Sequence, residues 1–143
     1  MRQESDKTGR EMNRLKRIAI SLTNRLYADS ISLMLKRIGD FRPITVPSPC
    51  VSEVLRCCVE MKAEILFLDV NPFYRETSIE QRIETAKIVR CELENCKIAI
   101  VCDEIAYPEL ARDVMRAKQT GQIDAFFYAS GTGEYLSAAL DAM

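Results

Sequence analysis

The chain has 143 residues, of which 48% are hydrophobic and 29% are charged, a balance typical of one soluble globular domain. Twenty lysine and arginine residues against 21 aspartate and glutamate residues leave a formal charge of -1, so composition gives no electrostatic support for binding nucleic acid or an anionic membrane. No apolar stretch approaches the roughly 20 residues that span a bilayer, and the N-terminus is too charged for a signal peptide. We therefore expect a cytoplasmic protein that binds neither nucleic acid nor membrane.

The chain contains no histidine, and its cysteines follow no CxxC pattern. Without histidine, Ser–His and Cys–His nucleophile pairs are excluded, together with the commonest general base near neutral pH. A zinc site is not expected either, and thiols in a cytoplasmic chain of this size are predicted to be free and used as small buried hydrophobic groups. We therefore predict no metal site and no enzymatic activity. The six cysteines are Cys50, Cys57, Cys58, Cys91, Cys96 and Cys102.

Residues 1–16 are polar and charged and are expected to form a flexible tail, followed by one domain over residues 17–143. Residues 17–21 (RIAIS) predict a buried strand, and Thr23 or Asn24 can cap the helix that follows it. Apolar residues at helical spacing predict the inward face of that helix. They are Tyr27, Ile31, Met34, Leu35 and Ile38.

The rest of the chain continues the alternation of strands and helices. Prolines border the second strand, which suits the edge of a sheet, and Pro108 fits the first turn of a helix, where its missing N–H is no loss. The later strands are predicted over residues 42–46, 64–69, 97–102 and 124–129. Four later helices are predicted. The first carries Val51, Val54, Leu55 and Cys58, the second spans about 77–96, the third begins at Pro108, and the fourth begins after the cap Thr132.

Five strands alternating with five helices predict an α/β fold, a flavodoxin-like (βα)5 three-layer sandwich around a parallel sheet of order 2-1-3-4-5. In such sheets, ligands gather outside the carboxyl ends of the strands, beside the point where the strand order reverses. Asp69 ends the third strand at that point. The sequence leaves two roles open for Asp69, a carboxylate that accepts backbone N–H bonds or the centre of a site.

From about Arg17 to the C-terminus, the sequence resembles the receiver domains of bacterial two-component response regulators. The resemblance is carried by RIAIS, EILFLDVNP, KIAIVC and DAFFYAS, in that order and spacing. It implies that Asp69 stands at the phosphoacceptor position and that Phe126 stands at the position of the family's switch aromatic. It also implies a role in signal transduction, with a histidine kinase or an output domain as partner.

The resemblance further implies which groups a working receiver needs. In the family, an acidic pair after the first strand holds Mg²⁺ with the phosphoacceptor, and a hydroxyl and a lysine bind the phosphoryl oxygens. Here the acidic pair falls on Leu22 and Thr23, the hydroxyl on Cys102 and the lysine on Ala129. We therefore predict a degenerate receiver that acts through protein contacts and needs no cofactor.

Two alternatives remain open at the sequence level. Asp69 is a working phosphoacceptor if neighbouring oxygen atoms replace the missing magnesium ligands; the candidates are Asn24, Asn71, Asp103 and Glu104. Otherwise, the scaffold serves as a small-molecule-binding or enzymatic flavodoxin-like domain. The glycine-free loop SLTNRLYAD argues against a flavin phosphate site, and Cys102 is the only nucleophile that we consider for an enzyme.

The resemblance implies a contact surface on the fourth helix, fifth strand and fifth helix. Its charges of both signs suit a two-fold symmetric dimer, and the alternative is an ordinary solvated surface. The residues proposed for this surface are Arg112, Arg116, Asp124 and Tyr135. A second surface feature is the stretch 71–82 after the third strand, which is longer than the family usually allows and in which Phe73 and Tyr74 either close over the strand ends or meet a partner.

Overall fold

The computed structural model describes residues 15–143, in which five strands alternate with five α-helices. The tail predicted over residues 1–16 lies almost wholly outside this range. The strands are Lys16–Ser21 (β1), Phe41–Thr45 (β2), Ile65–Asp69 (β3), Lys97–Cys102 (β4) and Ala125–Tyr128 (β5). The helices are Arg25–Ile38 (α1), Val51–Met61 (α2), Ile79–Glu92 (α3), Pro108–Gln119 (α4) and Gly133–Ala142 (α5), and Arg75–Thr77 forms one 3-10 turn.

All four strand pairs are parallel, and the sheet order is β2-β1-β3-β4-β5, which confirms the predicted topology. Residues 65–68 of the central strand β3 are buried, as expected for a short apolar run covered on both sides. Ser21 at the end of β1 pairs with Leu68, and Asp69 pairs with Val101 of β4. The register therefore places the carboxyl ends of β1, β3 and β4 side by side.

Two hydrophobic cores cover the two faces of the sheet. On one face, α1 and α5 pack through residues such as Leu35 and Leu140 against Phe67 and Ile20. On the other face, α2, α3 and α4 pack against the alternate residues of β3 and β4. Because successive side chains of a strand point to opposite faces, each central strand contributes to both cores.

Helix ends follow the predicted capping chemistry with small shifts. Asn24, and not Thr23, caps α1 by accepting the Tyr27 N–H at 3.1 Å, and Thr132 caps α5 through the Tyr135 N–H at 3.1 Å. Helix α3 is shorter than the predicted range 77–96, because Ser78 caps it and the chain leaves the helix at Leu93. Ile38, predicted on the inward face of α1, is 44% exposed because it lies in the last turn.

The six cysteines are free thiols. Cys57, Cys58, Cys96 and Cys102 are buried, as predicted, whereas Cys50 and Cys91 are exposed, so the prediction of buried thiols was wrong for these two. Burial raises the pKa of Cys58 to about 12 and the pKa values of Cys96 and Cys102 to about 11. No helix in the described part of the chain is long and apolar enough to cross a membrane.

We expect the stability of the domain to fall as the pH rises from about 9 to about 12. In the unfolded chain these thiols ionise near their usual pKa of about 8.5, whereas in the folded chain they stay neutral, so rising pH favours unfolding. Urea unfolding at pH 7, 9, 10 and 11 measures the effect. A variant with Cys58, Cys96 and Cys102 all changed to Ala should show a shallower decline, and an equally steep decline contradicts the assignment.

Candidate functional site

Asp69 lies at the carboxyl end of β3, and both oxygens of its side chain accept hydrogen bonds from the protein. Oδ1 accepts from Nη2 of Arg82 at 2.8 Å, and Oδ2 accepts from the backbone N–H of Thr23 at 2.8 Å. The carboxylate is 18% exposed. It is therefore held on one side by a cation and on the other by the loop after β1.

The Arg82 side chain is completely buried between the ends of β1 and β3. Besides the ion pair, its Nε donates to the Asp69 carbonyl at 2.8 Å, Nη1 donates to Ser21 Oγ at 3.0 Å, and Nη2 donates to the Ser21 carbonyl at 3.0 Å. Burial lowers the pKa of Arg82, and the charge of Asp69 opposes that shift. A guanidinium keeps its proton at neutral pH, so the pair is ionic.

The segment between β3 and α3 fixes where Arg82 enters the site. The Asn71 N–H donates to the Thr77 carbonyl at 2.8 Å, and the buried Thr77 hydroxyl contacts the Asn71 carbonyl at 3.2 Å. Ser78 then caps α3 through the N–H of Gln81 at 3.3 Å. Arg82 follows in the first turn of α3, where its side chain reaches back to the strand that precedes the loop. The loop is thus a closed, hydrogen-bonded structure.

The residues at the positions that the receiver resemblance singled out differ in burial and in their contact with Asp69. Leu22 packs against the core beneath α1, and Thr23 offers its backbone N–H to Asp69. The Thr23 hydroxyl is buried and has no hydrogen-bond partner among the described residues. Ala129, after β5, is exposed. The side chain of Ser21, which the sequence reasoning did not select, lies in the site because it accepts from Arg82.

Cys102 is buried at the end of β4 and is a poor nucleophile. Burial, followed by the charges of Asp103 and Glu104, raises the pKa of its thiol to about 11. Since the thiolate is the reactive form of cysteine, almost none of this residue is reactive at neutral pH. The geometry therefore does not favour a thiol-based enzyme.

A cavity of about 360 Å³ opens outside Asp69 at the carboxyl ends of the central strands. Two carboxylates, two amides and two tyrosines line it, and its remaining walls are small apolar side chains. The lining residues are Asn24, Tyr27, Asp69, Val70, Asn71, Val101, Asp103, Tyr107 and Ala129. No lysine or arginine is among them. Arg82 holds Asp69 from within the protein and does not line the cavity.

The residues present do not fit the magnesium ion that the receiver resemblance implies. Magnesium needs several hard oxygen ligands in near-octahedral geometry, and the two oxygens of Asp69 already accept from Arg82 and Thr23. Of the four residues considered as replacements, Asn24, Asn71 and Asp103 line the cavity, whereas Glu104 accepts from the Ser130 hydroxyl. Within residues 15–143, no group of three or more histidine, cysteine or acidic side chains is placed to hold a metal ion.

Comparison with known proteins establishes the fold. Neither the protein-family models nor the curated proteins give a match. Among solved structures, the chain is similar to the chemotaxis protein CheY4 of Vibrio cholerae, at 15% identity and a TM-score of 0.67 over 90% of this chain and 98% of that one. It is also similar to a response regulator receiver domain from Clostridium thermocellum, at 15% identity and a TM-score of 0.69 over 90% and 93% of the two chains.

A third similar structure is the response regulator TrrA of Thermotoga maritima in complex with Mg²⁺ and BeF, at 17% identity and a TM-score of 0.65 over 89% of this chain and 97% of that one. These likenesses define the class of architecture: residues 15–143 adopt the flavodoxin-like fold of CheY-like receiver domains. The fold carries the expected alternation of strands and helices. At the end of β3, Asp69 pairs with Arg82, a contact that the sequence resemblance did not imply.

The residues proposed for a contact surface are only partly available. Arg112 is exposed, as are Arg116 at 74% and Tyr135 at 63%. Asp124, in contrast, forms an internal ion pair with Arg90 and accepts the Ile98 N–H at 2.8 Å. Phe126 is half-buried, and its ring meets Tyr128 edge-on at 5.7 Å.

Arg82 is the central residue that sequence reasoning missed, although the sequence contained a signal for it. Arg82 precedes Ala86 by four positions and Val89 by seven, so the helical period places it on the inward face of α3. Both of those residues are fully buried. An arginine on a buried helical face needs acceptors, and the nearest strand ends at a carboxylate.

We expect Arg82→Met to destabilise the domain by about 3–5 kcal/mol, because it leaves a partly buried carboxylate without its cation. Asp69→Asn should also destabilise it, and the double variant should lose less than the sum of the two single losses. Urea unfolding of all four proteins measures this coupling.

Arg56→Met is the matched control, because Arg56 is 50% exposed and pairs with Glu53 and Glu60 on the surface of α2. It should destabilise the domain far less than Arg82→Met, because exposed ion pairs contribute little to stability. Additive losses for Arg82 and Asp69, or equal losses for Arg56 and Arg82, contradict the assigned role of the buried pair.

Proposed function

We propose that this protein is an atypical receiver-like signalling domain, in which the Asp69–Arg82 ion pair replaces the phosphorylation chemistry and signals pass through protein contacts. The observation that carries the proposal is the buried guanidinium, which makes four hydrogen bonds to Ser21 and Asp69. The receiver fold supports the signalling class. The partners of such a domain are a histidine kinase, an output domain or a second copy of the chain.

Phosphorylation of Asp69 would need a free carboxylate oxygen and groups that neutralise the incoming phosphoryl charge. Each oxygen of Asp69 already accepts one hydrogen bond, and Arg82 is enclosed behind the carboxylate with four of its five N–H donors occupied. The cavity side of Asp69 offers Asp103, whose charge repels a phosphoryl group, and Ala129, whose side chain has no hydrogen-bond donor. Phosphoryl transfer is therefore opposed by charge as well as by geometry.

Incubation with acetyl phosphate and Mg²⁺ tests the proposal directly. We expect intact-mass measurement to show no phosphoryl adduct above the level found for Asp69→Asn. The receiver TrrA, treated in parallel, controls for the activity of the reagent. A stoichiometric adduct that is lost in Asp69→Asn overturns the proposal and establishes the alternative of a working phosphoacceptor.

The proposed output surface comprises Arg112 and Arg116 on α4 and Tyr135 on α5. Asp124 belongs to the internal pair with Arg90 and is better assigned to the support of β5 than to contact with a partner. Three exposed side chains, two cationic and one aromatic, are the kinds of residue that are enriched at interfaces.

We expect a concentration-dependent dimer in sedimentation equilibrium, weakened at least about tenfold when Arg112 and Arg116 are both changed to Glu. Lys36→Glu, an exposed charge reversal on α1, should leave the association unchanged. A monomer at the highest soluble concentration, or equal weakening by Lys36→Glu, contradicts self-association through this surface.

A further inference from the structure

We infer that the cavity outside Asp69 is a binding site for an organic cation, a primary ammonium or a guanidinium group with a short apolar stem. The proposal goes beyond signalling through surface contacts, but it rests on the proposed function, because it needs a site that does not take Mg²⁺ and a phosphoryl group. The first observation that supports the inference is the volume of the cavity. At about 360 Å³, the cavity falls within the usual range of small-ligand sites, roughly 300–1,000 Å³.

The charge of the cavity favours a cation. Its lining includes two carboxylates and no lysine or arginine. Arg82 compensates Asp69 from the protein side, whereas no ion pair to Asp103 is found among the described residues. Asp103 Oδ1 accepts the Ala106 N–H at 3.0 Å, and its Oδ2 has no protein donor within residues 15–143. One negative charge at the rim therefore remains for a ligand.

The other walls suit an organic cation better than a metal ion. Tyr27 and Tyr107 supply aromatic surface, which attracts ammonium and guanidinium groups. The Tyr107 ring is fixed edge-on against Phe73 at 5.9 Å between centroids, so that wall is built before a ligand arrives. Val70, Val101 and Ala129 supply the apolar surface that would cover a short stem. A bare dication would find one carboxylate without a cation partner, and within residues 15–143 no group of three or more histidine, cysteine or acidic side chains is placed to hold it.

NMR titration with pentylamine, which is a cation at neutral pH, tests the inference, and the neutral pentan-1-ol is the matched probe. We expect saturable amide shifts at the cavity residues with pentylamine, and at least about tenfold weaker binding of the alcohol. Asp103→Asn keeps the acceptor for Ala106 and should weaken the amine about tenfold, since it removes only the charge. Ala129→Lys should abolish binding, because it fills the cavity with a competing cation.

Asp113→Asn is the matched control, because Asp113 is exposed on α4 and lies outside the cavity lining. It should leave the affinity unchanged. Equal binding of amine and alcohol, no saturable shifts, or equal effects of Asp103→Asn and Asp113→Asn overturn the inference. Alanine-based peptides with one lysine or arginine distinguish the source of the cation: peptides that bind more tightly than pentylamine indicate a partner's side chain, and weaker peptides indicate a free amine.

The mass measurement with acetyl phosphate keeps the two proposals separable. If neither a phosphoryl adduct nor amine binding is observed, the inference of a cation site is wrong, whereas the proposal of an atypical receiver is still supported. A phosphoryl adduct overturns the proposed function, whatever the amine titration shows, and with it the premise of the cation site.

Discussion

The ion pair between Asp69 and Arg82 is the interaction on which the carboxyl edge of the sheet depends. Taking a guanidinium out of water costs several kcal/mol, so a buried arginine requires acceptors at most of its donors. Here the acceptors are one carboxylate, one hydroxyl and two backbone carbonyls, all on the last residues of β1 and β3. The same side chain therefore joins the two central strands to the first turn of α3.

This constraint also explains the structure of the segment before α3. Arg82 reaches the strand ends only if the chain returns close to β3 after leaving it at Asp69. The hydrogen bonds between Asn71 and Thr77 close that return, and the Ser78 cap sets the direction of the helix. Phe73 and Tyr74 are left on the outside, 76% and 55% exposed. The length of the loop, noticeable in the sequence, thus follows from the placement of a buried cation.

The sequence was sufficient for the fold but not for the site, and the reason is physical. Strand and helix periods are local, so runs such as residues 64–69 and the spacing of Tyr27, Ile31 and Leu35 predicted both elements and topology. The site depends on Ser21 and Arg82, which lie 61 positions apart in the chain and meet only through the strand order. The family resemblance directed attention to Leu22 and Thr23, whereas the hydroxyl that accepts from Arg82 belongs to Ser21. This contact depends on the register of β1 against β3, which only the structure gives.

A carboxylate neutralised by a covalently attached arginine differs in principle from one neutralised by a metal ion. A bound metal exchanges with solvent, so its site has a filled and an empty state, whereas Arg82 is covalently part of α3 and fully buried, so it stays beside Asp69 at every metal concentration. The energy of a conformational change must come from differential binding to its two states. In the proposed function Asp69 is not phosphorylated, so phosphorylation supplies no difference in binding free energy between two states. Switching must then come from a ligand or partner that contacts the two states unequally, and the cavity beside Asp103 and the surface around Tyr135 are the places where the fold offers such contacts.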